Sequence, residues 1–579
     1  MKKNIKLNLI VNIIIILCTI SLLIEDFAKQ YIAIFYIFQT LNYLIFILYF
    51  INVVLYFIKS IKEKKYYIKS IIELIILFIL TGFFFYNNFY FSYIDQFKLE
   101  YIYLISILIR NIFIILIFLL KVKKLNLFLK KLSTNPAQAI IMSFLIAIIV
   151  GTILLMMPFS TLDKTRIGFI NALFTATSAI CVTGLIVFDT GRYFSIFGQS
   201  VIMILLQVGG LGIMILSYFS AFIIGKKLSL EDKLTLSFII NENDTQKISN
   251  HIKRIILITF TIEIIGVIFL FFIFNNNFHN PQKAIFYSFF HAISAFCNAG
   301  FSLFTDSFEQ FKSNIFLNFT ICSLIILGGL SFGVLTNFFQ LIKSRIKKYW
   351  LKREEMHVQL SLNSRVVLII TLILVISGTL IIYQFEHGNL IKFDLKTQYL
   401  SAFFQSVTLR TAGFNTIKFN TLNNYTYLIM ILYMFIGGAA GSTAGGIKVN
   451  TIGTIYAYIK SVIKGEKNTV LIKKTISSRT VNNAFLIVTL YVISIFFGVI
   501  LISISDRIDL IRILFEVVSA IGTVGLSTGI TSSLTSFAKI IIIILMFFGR
   551  VGPLTILTAM EQKRKRYDIS YPEETIYLT

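Results

Sequence analysis

Long apolar segments alternate with short polar ones along the whole chain. Segments such as 140–157, 255–274 and 484–504 approach or reach about 20 residues. That is the length of helix that crosses a hydrocarbon core of about 30 Å at about 1.5 Å per residue. The pattern therefore predicts an all-α polytopic membrane protein.

A second, shorter kind of apolar segment recurs four times after residue 135. These segments are 169–180, 284–296, 398–409 and 510–521. About a dozen residues cannot cross the core, so each segment must enter the membrane and turn back. A glycine follows each one at intervals of 112 to 116 residues, namely Gly184, Gly300, Gly413 and Gly525. This spacing predicts four pseudo-repeated helix-pore loop-helix units around one central pore.

The repeat also divides the chain into domains. Residues 1–130 are predicted to form an N-terminal extension of about four transmembrane helices, because four apolar segments precede the first repeat. The pore repeats are then 135–225, 226–345, 346–465 and 466–562, and a cytoplasmic tail follows at 563–579.

The four re-entrant loops have the chemistry of a potassium selectivity filter. Backbone that is not helical at membrane depth must line water or be buried in protein, so four such loops can share one cavity. Rings of backbone carbonyls at the ends of short helices replace the water shell of potassium, and the helix dipole adds partial negative charge there. The predicted filter consists of Cys181, Val182, Thr183 and Gly184; Cys297, Asn298, Ala299 and Gly300; Arg410, Thr411, Ala412 and Gly413; and Gly522, Thr523, Val524 and Gly525.

A glycine-rich string interrupts the second spanning segment of the third unit, which is predicted to be the only unit with a broken helix. The run 437–446 cannot hold a stable helix at membrane depth. It is interpreted as an intramembrane gating loop, and close packing of helices through small residues is the alternative. The residues assigned to the gate are Gly437, Gly438, Gly441, Ser442, Thr443, Gly445 and Gly446, together with Arg550 of the fourth unit.

Arg550 lies inside an apolar segment, where an unpaired charge costs about 2.5 to 3.5 kcal/mol. Intramembrane charges usually mark transport pathways, so Arg550 is predicted to face the pore. The alternatives are an arginine that reaches the membrane surface or pairs with a carboxylate such as Glu263. His291, Asn298 and Glu516 are predicted to make structural hydrogen bonds rather than bind ions, and the Arg410 side chain is predicted to point back into the protein.

Composition and charge support a membrane protein and exclude several other classes. The chain is 57% hydrophobic and 14% charged, with a mean hydropathy of +0.84. Its formal net charge of +26 is concentrated between apolar segments, which indicates cytoplasmic basic loops and a cytoplasmic N-terminus, not nucleic-acid binding. The basic loop at 343–355 is interpreted as a segment that contacts lipid headgroups, and docking of a soluble subunit is the alternative. The five histidines form no cluster that suggests an enzyme, and no nucleotide-binding motif occurs.

Three further motifs identify a family. CVTGL at 181–185, FIGGAAGSTAGGIK at 435–448 and FFGRVGPLT at 547–555 accompany the four filter glycines. With these motifs the chain, over about residues 135–560, resembles the membrane subunit of the Trk/Ktr/HKT superfamily of potassium transporters, of the bacterial TrkH/KtrB type. In that family a glycine at every filter position goes with potassium preference, whereas serine at the first position goes with sodium preference.

The resemblance implies potassium uptake across the cytoplasmic membrane without enzymatic activity. Potassium would be the transported ion, sodium or protons are candidate coupling ions, and no cofactor is expected on this chain. A homodimer that contacts a cytosolic nucleotide-binding subunit of the TrkA/KtrA type is the implied assembly. The alternatives are the potassium-binding subunit of a Kdp-type ATP-driven pump, whose third-loop glycine string is absent here, and a membrane-embedded enzyme.

Overall fold

A computed structural model describes residues 136–164, 166–212, 248–351, 359–419 and 422–560, together with residues 40, 44, 47, 48 and 51. Apart from these five residues, the predicted N-terminal extension lies outside the described part of the chain. So does the predicted tail at 563–579.

The described part is mostly helical, and its helices follow one recurring order. A long apolar helix opens each unit, a short helix and a loop follow, and a second apolar helix closes it. The first unit contains α1 (Pro136–Leu155), a 3-10 turn (Pro158–Ser160), α2 (Phe169–Ile180), α3 (Thr190–Tyr193) and α4 (Ile196–Leu211). The second contains α5 (Ile248–Phe278), α6 (Pro281–Phe296), a 3-10 turn (Glu309–Phe311), α7 (Ile315–Gly329) and α8 (Phe332–Leu351).

The third and fourth units repeat this order. The third contains α9 (Leu362–Phe385), α10 (His387–Leu390), α11 (Leu395–Thr408), α12 (Asn424–Phe435) and α13 (Val449–Ile463). The fourth contains α14 (Ser478–Ser505), α15 (Leu510–Gly522), a 3-10 turn (Thr531–Ser533), α16 (Ser536–Val551) and α17 (Pro553–Met560). Between them, β1 (Val470–Leu471) and β2 (Lys474–Thr475) form a small antiparallel hairpin, the one two-stranded sheet within the described residues.

Burial is inverted relative to a soluble protein. In the described part, four helices are long and apolar enough to cross a membrane, and each opens one unit: Pro136–Leu155, Ile252–Phe278, Leu362–Phe385 and Ser478–Ser505. Their outward apolar side chains remain exposed, as Leu257, Leu372 and Phe496 show. The short helices are instead buried inside the protein, where Phe174 and Phe290 are completely covered. Lipid is therefore the solvent of the outer helices, and the short helices form the core.

The second apolar helix is broken in more than one unit. Helices α7 and α8 meet at 107°, and α16 and α17 meet at 87° next to Gly552, whose φ is +86°. Helix α12 stops at Phe435, and α13 begins only at Val449. The sequence-based interpretation that only the third unit carries a broken helix was therefore wrong, because Gly552-Pro553 and the residues after Gly329 also break their helices.

Candidate functional site: a ring of four re-entrant loops

Each short helix delivers its chain directly into one predicted filter tetrapeptide. Helices α2 and α6 end at Ile180 and Phe296, immediately before Cys181 and Cys297. Helix α11 ends two residues before Arg410, and α15 includes Gly522 as its last residue. The C-terminal ends of four helices, which carry partial negative charge, therefore lie at the start of the four tetrapeptides.

The four tetrapeptides share one backbone conformation. The second residue of each is left-handed: φ is 56° at Val182, 58° at Asn298, 66° at Thr411 and 50° at Thr523. The glycines in fourth position also have positive φ: 93° at Gly184, 71° at Gly300, 78° at Gly413 and 89° at Gly525. A left-handed residue other than glycine costs roughly 1–2 kcal/mol, and such strain is concentrated at functional sites. Its recurrence at four equivalent positions indicates one shared backbone function.

The glycines bring the loops together in a closed ring. Each approaches the carbonyl oxygen of the third residue in the next unit so closely that a methyl group would collide with it. The distance from a methyl group placed on the glycine to that oxygen would be 2.3 Å from Gly184 to Ala299, 2.7 Å from Gly300 to Ala412, 2.7 Å from Gly413 to Val524 and 2.1 Å from Gly525 to Thr183. The last contact returns to the first unit. The structure thus brings all four tetrapeptides to one place.

Three serines that the sequence interpretation overlooked hold these loops from behind. Ser178 Oγ accepts a hydrogen bond from Gly184 N at 3.1 Å and donates to Leu185 O at 2.7 Å. Ser519 Oγ accepts from Gly525 N at 3.1 Å. The corresponding Ser294 donates to Phe301 O at 2.8 Å. The sequence does mark these serines, because a Ser-Ala pair begins six residues before the filter glycine in three of the units. The third unit has Val407-Thr408 at this position instead.

The glycine-rich loop, residues 437–446, packs directly against this ring. Thr443 Oγ1 donates to Gly328 O at 2.8 Å and to Phe296 O at 3.1 Å, at the end of α6. A methyl group on Gly445 would lie 1.9 Å from Thr523 Oγ1, in the fourth tetrapeptide. The loop therefore lies against the side of the ring where the tetrapeptides begin.

The loop satisfies backbone groups that two broken helices expose. Ala439 N donates to Gly329 O at 3.0 Å, and Phe332 N donates to Gly441 O at 3.2 Å. Gly437 N donates to Ile447 O at 2.9 Å, which closes the base of the loop. These bonds pair the freed groups of the α7–α8 break with those of the loop, as backbone at membrane depth requires.

Arg550, near the end of α16, bridges the loop to the first unit. Its guanidinium donates to Thr443 O and Gly209 O, and it reaches Gly210 O at 3.3 Å. Gly209 and Gly210 lie in the last turn of α4, where carbonyls lack helical partners and a cation is favourable. The suggested pairing with Glu263 is not observed, because Glu263 Oε2 instead accepts from Gln207 Nε2 at 3.2 Å.

A second cation in this region was not predicted. Lys448 follows the loop, and its Nζ donates to Ala444 O at 2.7 Å. The signal was a lysine two residues after the glycine-rich string within an apolar region. Two basic side chains, Arg550 and Lys448, therefore hold carbonyls of the same loop.

The remaining polar residues near the ring have structural partners or are buried. His291 Nε2 lies 3.2 Å from Leu303 N, and its Nδ1 lies 2.8 Å from Tyr287 O. Glu516 accepts from Ser527 at 2.9 Å and from Thr531. The structural interpretation of His291 and Glu516 is confirmed by these bonds.

Asn298 and Arg410 face the protein interior beside the ring. With its amide nitrogen turned toward them, Asn298 donates to the carbonyls of Phe296 and Ile325 at 3.2 Å each. Arg410 is 3% exposed, and its Nε and Nη2 have no hydrogen-bond partner among the described residues. The Arg410 side chain is thus buried in the protein, as predicted.

These features define a class: a multi-pass membrane protein whose four re-entrant loops meet in one ring, with a broken helix packed against it. A family model described as "TrkH: Cation transport protein" matches residues 108–566. The chain belongs to this family of cation transport proteins. Residues 1–107 lie outside the matched region.

Individual relatives agree with this assignment. Ktr system potassium uptake protein B of Bacillus subtilis is 35% identical over 446 residues, which cover 76% of this chain and 96% of that protein. Potassium/sodium uptake protein NtpJ of Enterococcus hirae is 35% identical over 452 residues, covering 77% and 97%. The fold is similar to the crystal structure of the potassium transporter TrkH from Vibrio parahaemolyticus, with a TM-score of 0.58 and 19% identity over 75% of this chain and 86% of that one.

Proposed function

We propose that the protein takes up potassium across the cytoplasmic membrane through a filter formed by its four tetrapeptides. The observation that carries the proposal is the closed ring in which each filter glycine abuts the next unit's third carbonyl. Rings of backbone carbonyls are the groups that replace the hydration shell of potassium. The names of the Bacillus and Enterococcus relatives support potassium as the ion.

The carbonyls of Thr183, Ala299, Ala412 and Val524 form the ion-binding layer in this proposal. Each belongs to the residue before a glycine and lies next to the glycine of the preceding unit. A serine in place of Gly184 would need a side chain where Ala299 O already lies. The glycine at position 184 therefore supports a preference for potassium over sodium, as the family resemblance implies.

The glycine-rich loop acts as the gate in this proposal. It touches the ring through Thr443 and Gly445 and is held by Arg550. A loop of small residues can leave this position without moving a whole helix. The positive charge of Arg550 would also raise the energy of a cation that passes beside it.

The orientation and assembly follow from charge and resemblance. The basic segments 343–365 and 460–479 are proposed to lie in the cytoplasm, with the N-terminus on the same side. The gate then lies on the cytoplasmic side of the filter. A homodimer with a cytosolic nucleotide-binding subunit of the TrkA/KtrA type is the proposed assembly, and transport without catalysis is the proposed activity.

The test is rubidium uptake in cells that lack their own potassium uptake systems. We expect the parent chain to restore uptake, Gly184→Ser to reduce the preference for potassium over sodium, and deletion of 437–446 to raise flux. Unchanged selectivity in a folded Gly184→Ser variant contradicts the filter assignment. A Kdp-type subunit would need an ATPase partner, so flux into liposomes from purified protein without ATP separates that alternative from a Trk/Ktr transporter.

A further inference from the structure

A buried guanidinium lies beside the end of α7 without the hydrogen bonds that it needs. Arg410 is 3% exposed, and its Nε and Nη2 have no hydrogen-bond partner in the described part of the chain. Its Nη2 would lie 3.9 Å from a methyl group placed on Gly329, the last residue of α7. An arginine keeps its charge in a protein, and a buried charge without hydrogen bonds is costly. Arg410 is therefore in an unfavourable environment while the glycine-rich loop is packed against the ring.

The carbonyls at the end of α7 are occupied by that loop. Gly328 O accepts from Thr443 Oγ1 at 2.8 Å and from Thr443 N at 3.2 Å, so both of its lone pairs are used. Gly329 O accepts from Ala439 N at 3.0 Å. The guanidinium of Arg410 therefore lies next to acceptors that the packed loop already binds.

The end of α4 in the first unit is built in the same way as the end of α7. A methyl group on Gly209 would lie 2.1 Å from Ile180 O, and one on Gly328 would lie 1.9 Å from Phe296 O. These oxygens belong to the last residue of the short helix in each unit, and each of the two glycines precedes another glycine. At the end of α4, Arg550 donates to the carbonyls of both glycines. A helix end of this kind thus accommodates a guanidinium.

We propose that Arg410 is a positioning residue for the open gate: when the glycine-rich loop leaves the ring, the Arg410 guanidinium binds the carbonyls of Gly328 and Gly329 in its place. Carbonyls that are left unpaired at membrane depth are costly, and Arg410 would satisfy them. The negative end of the α7 dipole also favours a cation there. The proposal rests on the proposed function of the loop as a gate.

The two arginines then act in opposite directions on one equilibrium. Arg550 donates to Thr443 O and stabilises the packed loop. Arg410 gains its partners only after the loop has moved and stabilises the displaced loop. Each position of the loop is thus stabilised by its own set of hydrogen bonds, as a gate with two discrete states requires.

The first experiment measures the initial rate of rubidium uptake by the purified full-length protein in liposomes. A hydrogen bond from a charged donor shifts such an equilibrium by roughly 10- to 150-fold, so Arg410→Gln should lower the rate by at least about tenfold. Arg410→Lys keeps the charge but lacks the planar fork that reaches two carbonyls, and its rate should be intermediate. Arg512→Gln is the matched control, because Arg512 lies on the half-exposed surface of α15 beside Asp509, and it should transport like the parent.

Deletion of 437–446 separates a role in the gate from a role in the filter. Without the loop, Arg410 has no competitor for the α7 carbonyls, and the gate no longer depends on it. The loss of flux caused by Arg410→Gln should then be at least about fivefold smaller than in the parent, since groups that act on one equilibrium are not additive. A residue that only supported the filter would cause the same loss in both backgrounds.

Hydrogen exchange reports on the loop without any transport. In detergent, Arg410→Gln should slow exchange at the backbone amides of Ala439 and Thr443, because fewer molecules have the loop displaced. Arg550→Gln should speed exchange at the same amides. Absence of rubidium flux in every sample contradicts the proposed function, while the exchange rates still report on Arg410.

Two results would overturn the role of Arg410. One is a folded Arg410→Gln protein whose Ala439 and Thr443 amides exchange as fast as in the parent, or faster. The other is an equal loss of flux with and without the loop. If Arg410→Gln does not fold, Arg410→Lys decides the question, and loop amides that exchange as in the parent would then rule the proposal out.

Discussion

Replacing Arg550 by glutamine should open the gate. Its guanidinium holds the glycine-rich loop at Thr443 O and the end of α4 at Gly209 O. A hydrogen bond from a charged donor contributes about 1.5–3 kcal/mol. Loss of the bond to the loop alone would then shift the equilibrium between the packed and the displaced loop by roughly 10- to 150-fold, since about 1.4 kcal/mol corresponds to a factor of ten. Flux should rise by up to this factor.

The assay is the initial rate of rubidium uptake into liposomes at equal amounts of folded protein. Arg550→Lys keeps the charge but lacks the planar fork that reaches two carbonyls, so its flux should be intermediate. Arg512→Gln is the matched control, because Arg512 is half exposed beside Asp509 and distant in the chain from the loop. An Arg550→Gln protein that elutes and melts like the parent yet transports no faster would refute the reasoning.

Three further predictions concern the filter, the serine that supports it and the aspartate at the end of α14. Gly184→Ser places a side chain at a φ of 93° and against Ala299 O, so the ratio of potassium to sodium uptake should fall, as competition assays would show. Ser178→Ala leaves Gly184 N without its acceptor, which costs about 1–3 kcal/mol for a buried donor, and thermal unfolding should show a lower melting temperature with weaker selectivity. At Asp506, burial raises the pKa, but hydrogen bonds from Ser505 and Thr535 outweigh it and lower the pKa overall. The ionised carboxylate therefore stabilises the folded protein at neutral pH, and this stabilisation is lost as the pH falls below about 4. Asp506→Asn should show a smaller loss of stability over that range in thermal unfolding.

The short helices show how far the apolar pattern reaches. The predicted segment 169–180 coincides with α2, and 510–521 differs from α15 by one residue. Helices α6 and α11 begin three residues earlier than predicted, at Pro281 and Leu395. Asn280 caps α6 through a bond to Lys283 N, and a proline at the first position favours helix. The start of α6 therefore depends on capping chemistry, which apolar length does not measure, whereas Asp394 before α11 makes no side-chain capping bond.

The hydrogen-bond partners of Arg550 could not be predicted from the sequence. An arginine in an apolar segment predicts a compensating contact, but a carboxylate and a set of carbonyls are equally consistent with the sequence. The structure selects the carbonyls because α4 ends beside the glycine-rich loop, with Gly209 O and Thr443 O both turned toward α16. The sequence analysis also missed the bend between α7 and α8. The residues after Gly329 include no proline and fewer glycines than 437–446, so no local pattern marks the bend.

The sequence by itself determined the class of membrane protein, the four short helices and the glycine that follows each. These follow from apolar length and from spacing, which are properties of the chain taken locally. Only the tertiary structure decided that the four glycines close a ring, that serines support it, and that Arg550 joins the loop to α4. The glycine and Arg550 contacts join residues more than 100 positions apart, so their identity depends on how the helices pack and not on any local preference of the chain. The serine bonds span only six or seven positions, but they form only when the loop has turned back on its own helix.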